Sequence, residues 1–207
     1  MAATRKLSPP SPRRRRADAE RSVVRILEAT IDVLASDPEA SMSEIARHAG
    51  VVRATVYVHF PARDSLIAAA TDRAIAEVVR VIEEAEPDRG APAEALARVV
   101  AATWRALGRF HGLIAINTRL PDADIDHRHN PALARLYPLV QRGQRDGSFR
   151  ADVPVSWHLG MLRALVHAAS AELGAGRIPE AQIQSALVTT VLGAVTGPST
   201  TSDSADA

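Results

Sequence analysis

With 207 residues the chain can bury one sizeable core or join a small domain to a larger one, and it is 46% hydrophobic but only 3% aromatic. It has no cysteine, which excludes disulfide frameworks, thiolate metal sites and cysteine nucleophiles; no apolar run is long enough to span a bilayer, and the early arginines lack a following apolar stretch of the signal-peptide kind. The net charge of +1 hides an asymmetry: residues 1–66 hold eleven Lys or Arg against eight Asp or Glu, while the remainder holds fourteen against sixteen, so a polyanionic partner is expected at the N-terminal end alone.

Many Ala, Leu and Val without alternating β-branched runs predict an all-α protein. Residues 1–17, rich in Pro and Ser and ending in Arg13 to Arg16, are too polar to bury and are expected to form a disordered basic arm beside the phosphate backbone or in the minor groove. From about Asp18 to Ser36, Val23, Leu27, Thr30, Ile31 and Leu34 recur at helical spacing until Asp37-Pro38 ends the pattern. Ser41 and Glu44 then have the spacing of a capping box, Met42, Ile45 and Ala49 share one face, and Gly50 suits a left-handed exit. After this turn a second short segment carries Val56 and Phe60 on its buried side and Arg53, Thr55, Tyr57 and His59 on other faces, which together make a helix-turn-helix over residues 41–60.

The stretch SMSEIARHAGVVRATVYVHFPARDSL, with its AGV and TVYVHF runs and the Arg63-Asp64 pair, resembles the DNA-binding signature of the TetR family of transcriptional regulators. Val52, Val56 and Ala62 depart from the Ser, Leu and Ser or Asn usual there, and Val52 and Ala62 leave the third and fourth helices without side-chain caps, an effect of about 1 kcal/mol each. The position of Arg53 at the start of the recognition helix suits a bidentate contact to guanine, Ala54 permits close approach, and Thr55 suits a thymine methyl or a phosphate. Ser41, Met42 and Ser43 are expected at the groove edge. The resemblance implies that Tyr57 and His59 hold phosphates, and that Arg63 does so together with the N-terminus of the fourth helix.

Asp64 to about Glu86 reads as one long amphipathic helix stopped by Pro87, linking a DNA-binding domain (18–66) to a larger helical domain (67–196). A helix from Pro92 to about Arg109 and a short apolar helix near 110–118 follow. Leu120 to Asn130, with three aspartates and two histidines, is expected to be an exposed loop, its spacing matching no calcium loop. Asn130-Pro131 then starts a helix that Pro138 should kink and Gly147 should end. Two apolar helices, about 154–173 and 179–195, close the domain before a polar tail over 197–207.

The resemblance implies that these last two helices join their copies in a homodimer, that the dimer reads a palindromic double-stranded DNA operator, and that a small-molecule effector releases it. Trp104, His111, Tyr137, Trp157 and Met161 are the residues expected to contact that effector. No metal and no cofactor are expected, and no membrane partner; the chain is expected to be cytoplasmic. Two other classes compete with this reading: a helical ligand carrier or dimerisation module without DNA binding, which the intact Arg53, Thr55, Tyr57, His59 and Arg63 disfavour, and an all-helical enzyme built on His111, His158 and His167, which no H-E-x-x-H run, phosphate loop or nucleophile elbow supports.

Overall fold

A computed structural model describes residues 12–117 and 122–196. They form nine α-helices and one 3-10 turn, and among the described residues there is no strand. The chain divides into two compact units, residues 1–70 and 71–207.

The first unit contains α1 (Pro12–Ser36), α2 (Met42–His48), α3 (Arg53–His59) and the beginning of α4 (Arg63–Glu84). The start of α1 departs from the expected arm: helix begins at Pro12, so Arg13 and Arg16 stand on it. Proline at a helix start loses no needed N–H and brings a preset φ, and arginine and alanine are good helix formers, so the local signal continues N-terminal of the apolar pattern. Ile26, Leu34, Ile45, Val56 and Leu66 are fully buried and join the helices into one core.

Local chemistry then sets α2 and α3. The Ser41 N–H donates to Glu44 Oε2 at 2.7 Å and the Glu44 N–H to Ser41 Oγ at 3.3 Å, completing the capping box. These Ser41 hydrogen bonds hold the Glu44 carboxyl below its usual range. Gly50 turns the chain with φ 64°, and the chain enters α3 through Val52, whose backbone (φ −74°, ψ 147°) has the same N-cap conformation as Ser41 (φ −79°, ψ 158°) but whose side chain makes no cap bond. Val52 is also 70% exposed. Val52→Ser should therefore raise the stability of the first unit by about 1 kcal/mol, read as a higher denaturant midpoint; an unchanged midpoint would show that water already satisfies the free N–H groups. At α4 the missing cap at Ala62 is partly made good by Ser65, whose hydroxyl accepts from the Ala62 N–H at 3.3 Å and donates to the Ala62 carbonyl at 2.6 Å.

The second unit holds the rest of α4, α5 (Pro92–Leu107), a 3-10 turn (Gly108–Phe110), α6 (His111–Asn117), α7 (Asp122–Arg145), α8 (Val155–Gly174) and α9 (Glu180–Thr196). Helix α5 packs against α7 and α9, with Leu96, Val99, Leu139, Val140, Val191 and Val195 all buried between them. The link from α4 to α5 passes through Glu86 at φ 51° and is held by two arginines. Arg98 donates to the carbonyls of Glu86 (3.0 Å) and Arg89 (2.7 Å), and Arg142 to those of Pro87 (3.0 Å) and Asp88. After α7, Gln144 donates to the Arg150 and Val153 carbonyls, and His158 Nε2 meets the Arg150 carbonyl at 3.1 Å. That contact makes Nε2 the protonated nitrogen and gives the buried His158 a structural role.

Residues 122–130 correct the expected loop: α7 starts at Asp122 and runs through both Pro131 and Pro138. Core packing outweighs the two prolines, since Ala132, Leu136, Leu139 and Val140 are buried on α7. Arg128 donates to Asp72 at 2.9 Å and Arg135 lies 3.0 Å from Glu83, so α7 is tied to α4 on both sides of Pro131. Residues 118–121, which include the start of that expected connection, and the ends 1–11 and 197–207 lie outside the described residues. No described helix is long and apolar enough to cross a membrane.

Candidate nucleic-acid interface and ligand cavity

Seven residues make α3, and burying Val56 and Phe60 turns Arg53, Ala54, Tyr57 and Val58 outward. Arg53 and Tyr57 act as a pair. The Arg53 guanidinium donates to Tyr57 Oη at 3.1 Å and lies 5.2 Å from the ring centroid, so the aromatic face supports the cation while its donors remain at the surface. Thr55 and His59 are half-buried on the flanks, with the His59 ring 6.4 Å from that of Phe60. Ser43 is exposed on α2; Ser41 is exposed too, but its hydroxyl also donates to Glu44 at 2.8 Å.

Two expected contacts are placed elsewhere. Met42 is 7% exposed and belongs to the core, because it lies on the same apolar face as Ile45; it is not at the groove edge. Arg63 is half-buried and turned back on the first unit, donating to the carbonyls of Pro38 (2.6 Å) and Ala40 (3.3 Å). It braces the link between α1 and α2, and its guanidinium is turned to these carbonyls rather than held out into solvent. Val58, which the motif does not mark, is 79% exposed and sits one residue past Tyr57 on the outward face, away from Val56 and Phe60.

The second unit encloses a cavity of about 130 Å³. Its wall is mostly aliphatic, with Val78, Val99, Leu136 and Leu162 among the lining residues. None of the five residues expected to contact an effector lines it. Trp104 is buried with its ring 5.7 Å from that of His111, whose charged form burial disfavours. Met161 is half-buried against the core, and Tyr137 and Trp157 are exposed, Tyr137 bordering an outer groove. Polar residues on the cavity wall are Thr71, Thr103, Asn117, His129, Arg163 and His167. Asn117 donates to Thr71 Oγ1 at 3.0 Å, and the His129 and His167 rings meet edge to face at 5.2 Å.

Burial, followed by the charges of His129 and Arg163, pushes His167 down to about 4, from an ordinary value near ~6.5. The unfolded chain thus takes up a proton here below about pH 6.5, and the folded chain only near 4. Between those values the unfolded state binds more protons, so stability falls as pH drops through the window. His167→Leu should flatten the fall in Tm between about pH 7 and pH 5; an equally steep fall in the variant would assign the acid sensitivity to other groups.

A profile described as bacterial regulatory proteins, tetR family, matches residues 26–70. The HTH-type transcriptional repressor LfrR of Mycolicibacterium smegmatis is 30% identical over 192 residues, covering 87% of this chain and 94% of its own. The chain belongs to the TetR family. Its structure resembles that of LfrR in complex with proflavine, with a TM-score of 0.69, 26% identity and coverage of 86% of this chain and 98% of the other. A TetR regulatory protein from Mycobacterium vanbaalenii follows at 0.58 and 28%, covering 87% and 98%. FadR from Bacillus subtilis in complex with stearoyl-CoA shares the fold at 0.68 with 16% identity, covering 83% and 98%. This TetR-family protein is accordingly a ligand-responsive transcriptional regulator that binds DNA through its helix-turn-helix.

Proposed function

We propose that this regulator is a repressor that binds a near-palindromic operator as a homodimer and releases it when an organic molecule fills the cavity of the second unit. The observation that carries the DNA reading is the outward face of α3, where Arg53, supported by Tyr57, sits beside Ala54 and Val58. Arg53 reads guanine, Val58 with Ala54 packs on thymine methyl groups, and Tyr57, His59, Ser41 and Ser43 hold the backbone. Arg13 and Arg16, exposed on α1, add non-specific attraction to phosphate. Similarity to LfrR, a repressor, supports the direction of control.

The homodimer reading rests on α8 and α9, which pack together and leave Trp157 64% exposed on the same helix face as the exposed, small Ala164 and Ala168. Paired half-sites one helical turn apart follow from such a twofold arrangement. Mobility shift with the DNA upstream of the chain's own coding sequence, across a salt series, is the direct test. A steep loss of affinity with salt and a protected palindrome are expected, with Trp157→Arg giving monomers by light scattering and no retarded band. Retardation by a monomer on a single half-site would overturn the dimer reading.

A further inference from the structure

Helix α3 presents its side chains in rows. At about 100° per residue, Ala54 and Val58 each stand about 160° round the helix from the buried Val56, one on either side of the direction that leads straight out of the core. Arg53 and Tyr57 follow on one flank, and Thr55 and His59 on the other. Both flanks carry polar groups, whereas the ridge between them carries none. Ala54 is exposed, and Val58 at 79% is the most exposed large apolar side chain among the described residues. Folding gains nothing from that valine: it lies outside the core, and a β-branched residue is a poorer helix former than alanine.

Neither side chain of the ridge has a donor or an acceptor, so it cannot tell bases apart by hydrogen bonding. In the major groove the apolar feature of a base edge is the C5-methyl group of thymine. Cytosine and uracil have a hydrogen at that carbon, and 5-methylcytosine carries the thymine methyl. The groups that distinguish thymine from 5-methylcytosine, O4 and N4, are polar and gain no partner from valine. A purine in that place would press its N7 acceptor against the ridge and leave it without a donor. Valine in a helix is held in one rotamer, so its methyl groups are already ordered when DNA arrives.

We propose that Val58, helped by Ala54, is a specificity-determining residue that reads the C5-methyl group of a pyrimidine, on thymine and on cytosine alike. Operator binding is therefore strengthened by C5-methylation of a cytosine at that position, as well as by thymine. This rests on α3 being the DNA-reading helix, and adds the chemical group that its central ridge selects.

The test begins with an operator selected from random duplexes by the full wild-type chain. Each thymine is then replaced, in both half-sites together, by uracil opposite adenine and by cytosine or 5-methylcytosine opposite guanine, so that each comparison changes a methyl group alone. At one thymine of each half-site, uracil should weaken binding by about fourfold per methyl lost, or about fifteenfold for the pair. At the same position 5-methylcytosine should bind more tightly than cytosine by a similar factor. Val58→Ala, a change at an exposed site, should bring both ratios below about twofold while the guanine preference given by Arg53 persists. Indifference to uracil at every thymine, no gain from cytosine methylation, or undiminished ratios in Val58→Ala would each overturn the proposal and leave the reading of α3 standing. A chain that selects no duplex would overturn both.

Discussion

Arg53→Ala should weaken operator binding by roughly 30-fold or more and relax the preference for guanine at one position of each half-site. A bidentate arginine–guanine contact discriminates by about 1–3 kcal/mol, and a twofold-symmetric complex loses it twice. Tyr57→Phe isolates the other half of the pair. It keeps the ring under the guanidinium but removes the hydroxyl that accepts from Arg53 at 3.1 Å and that is available to a phosphate. Its expected signature is a smaller loss, about 1 kcal/mol per half-site, spread evenly over operator sequences. Competition binding against single-base operator variants separates the two. An Arg53→Ala protein with an unchanged base preference would move the reading of sequence to Val58 and its neighbours.

Gly143→Ala should lower the stability of the second unit by about 2–3 kcal/mol, a fall in Tm of roughly 5–10 °C. A Cβ on residue 143 would lie 2.2 Å from Phe149 Cδ2 and 2.5 Å from Cε2. The ring cannot swing clear, since Phe149 is 2% exposed and its N–H donates to the Gly143 carbonyl at 2.8 Å. Because Phe149 belongs to the same core as Leu96 and Val195, either the ring or the end of α7 must move. Adding Phe149→Leu to the variant should restore part of the loss. A single variant as stable as the wild type, by thermal unfolding, would refute the close approach.

The helix-turn-helix was legible because its signals are local. Ser41 and Glu44 three residues apart, Gly50 in a left-handed turn, and Val56 with Phe60 on one face each act within a single turn of chain. Most helix boundaries of the second unit were legible for the same reason, through Pro87, Pro92 and the glycines before Pro179. What failed depends on distant partners. The polar composition and Asn130-Pro131 marked 120–130 as a loop, yet Asp72 and Glu83, more than fifty residues upstream of their partners, help hold it in α7. Arg63 reads as a phosphate ligand by motif, and only the folded chain shows the Pro38 and Ala40 carbonyls within its reach. The cavity gave still less warning. Aromatic residues drew the expectation to Trp104 and Trp157, whereas the wall is built mostly from Leu, Ile and Val with Phe110, and Arg163 and His167 stand one turn apart on α8.

Helix α3 is only seven residues long and begins at a valine that contributes no cap bond. A segment so short gains little from its own hydrogen bonds, and the free protein should sample frayed forms that cannot dock in a groove. Operator affinity is then divided by the fraction of molecules whose reading helix is formed. Amide hydrogens of Thr55 to Val58 should exchange quickly in the free protein and slowly on DNA. A serine at position 52 should tighten binding without touching a base, so the regulator's sensitivity is set partly by a residue whose only duty is to leave a helix end loose.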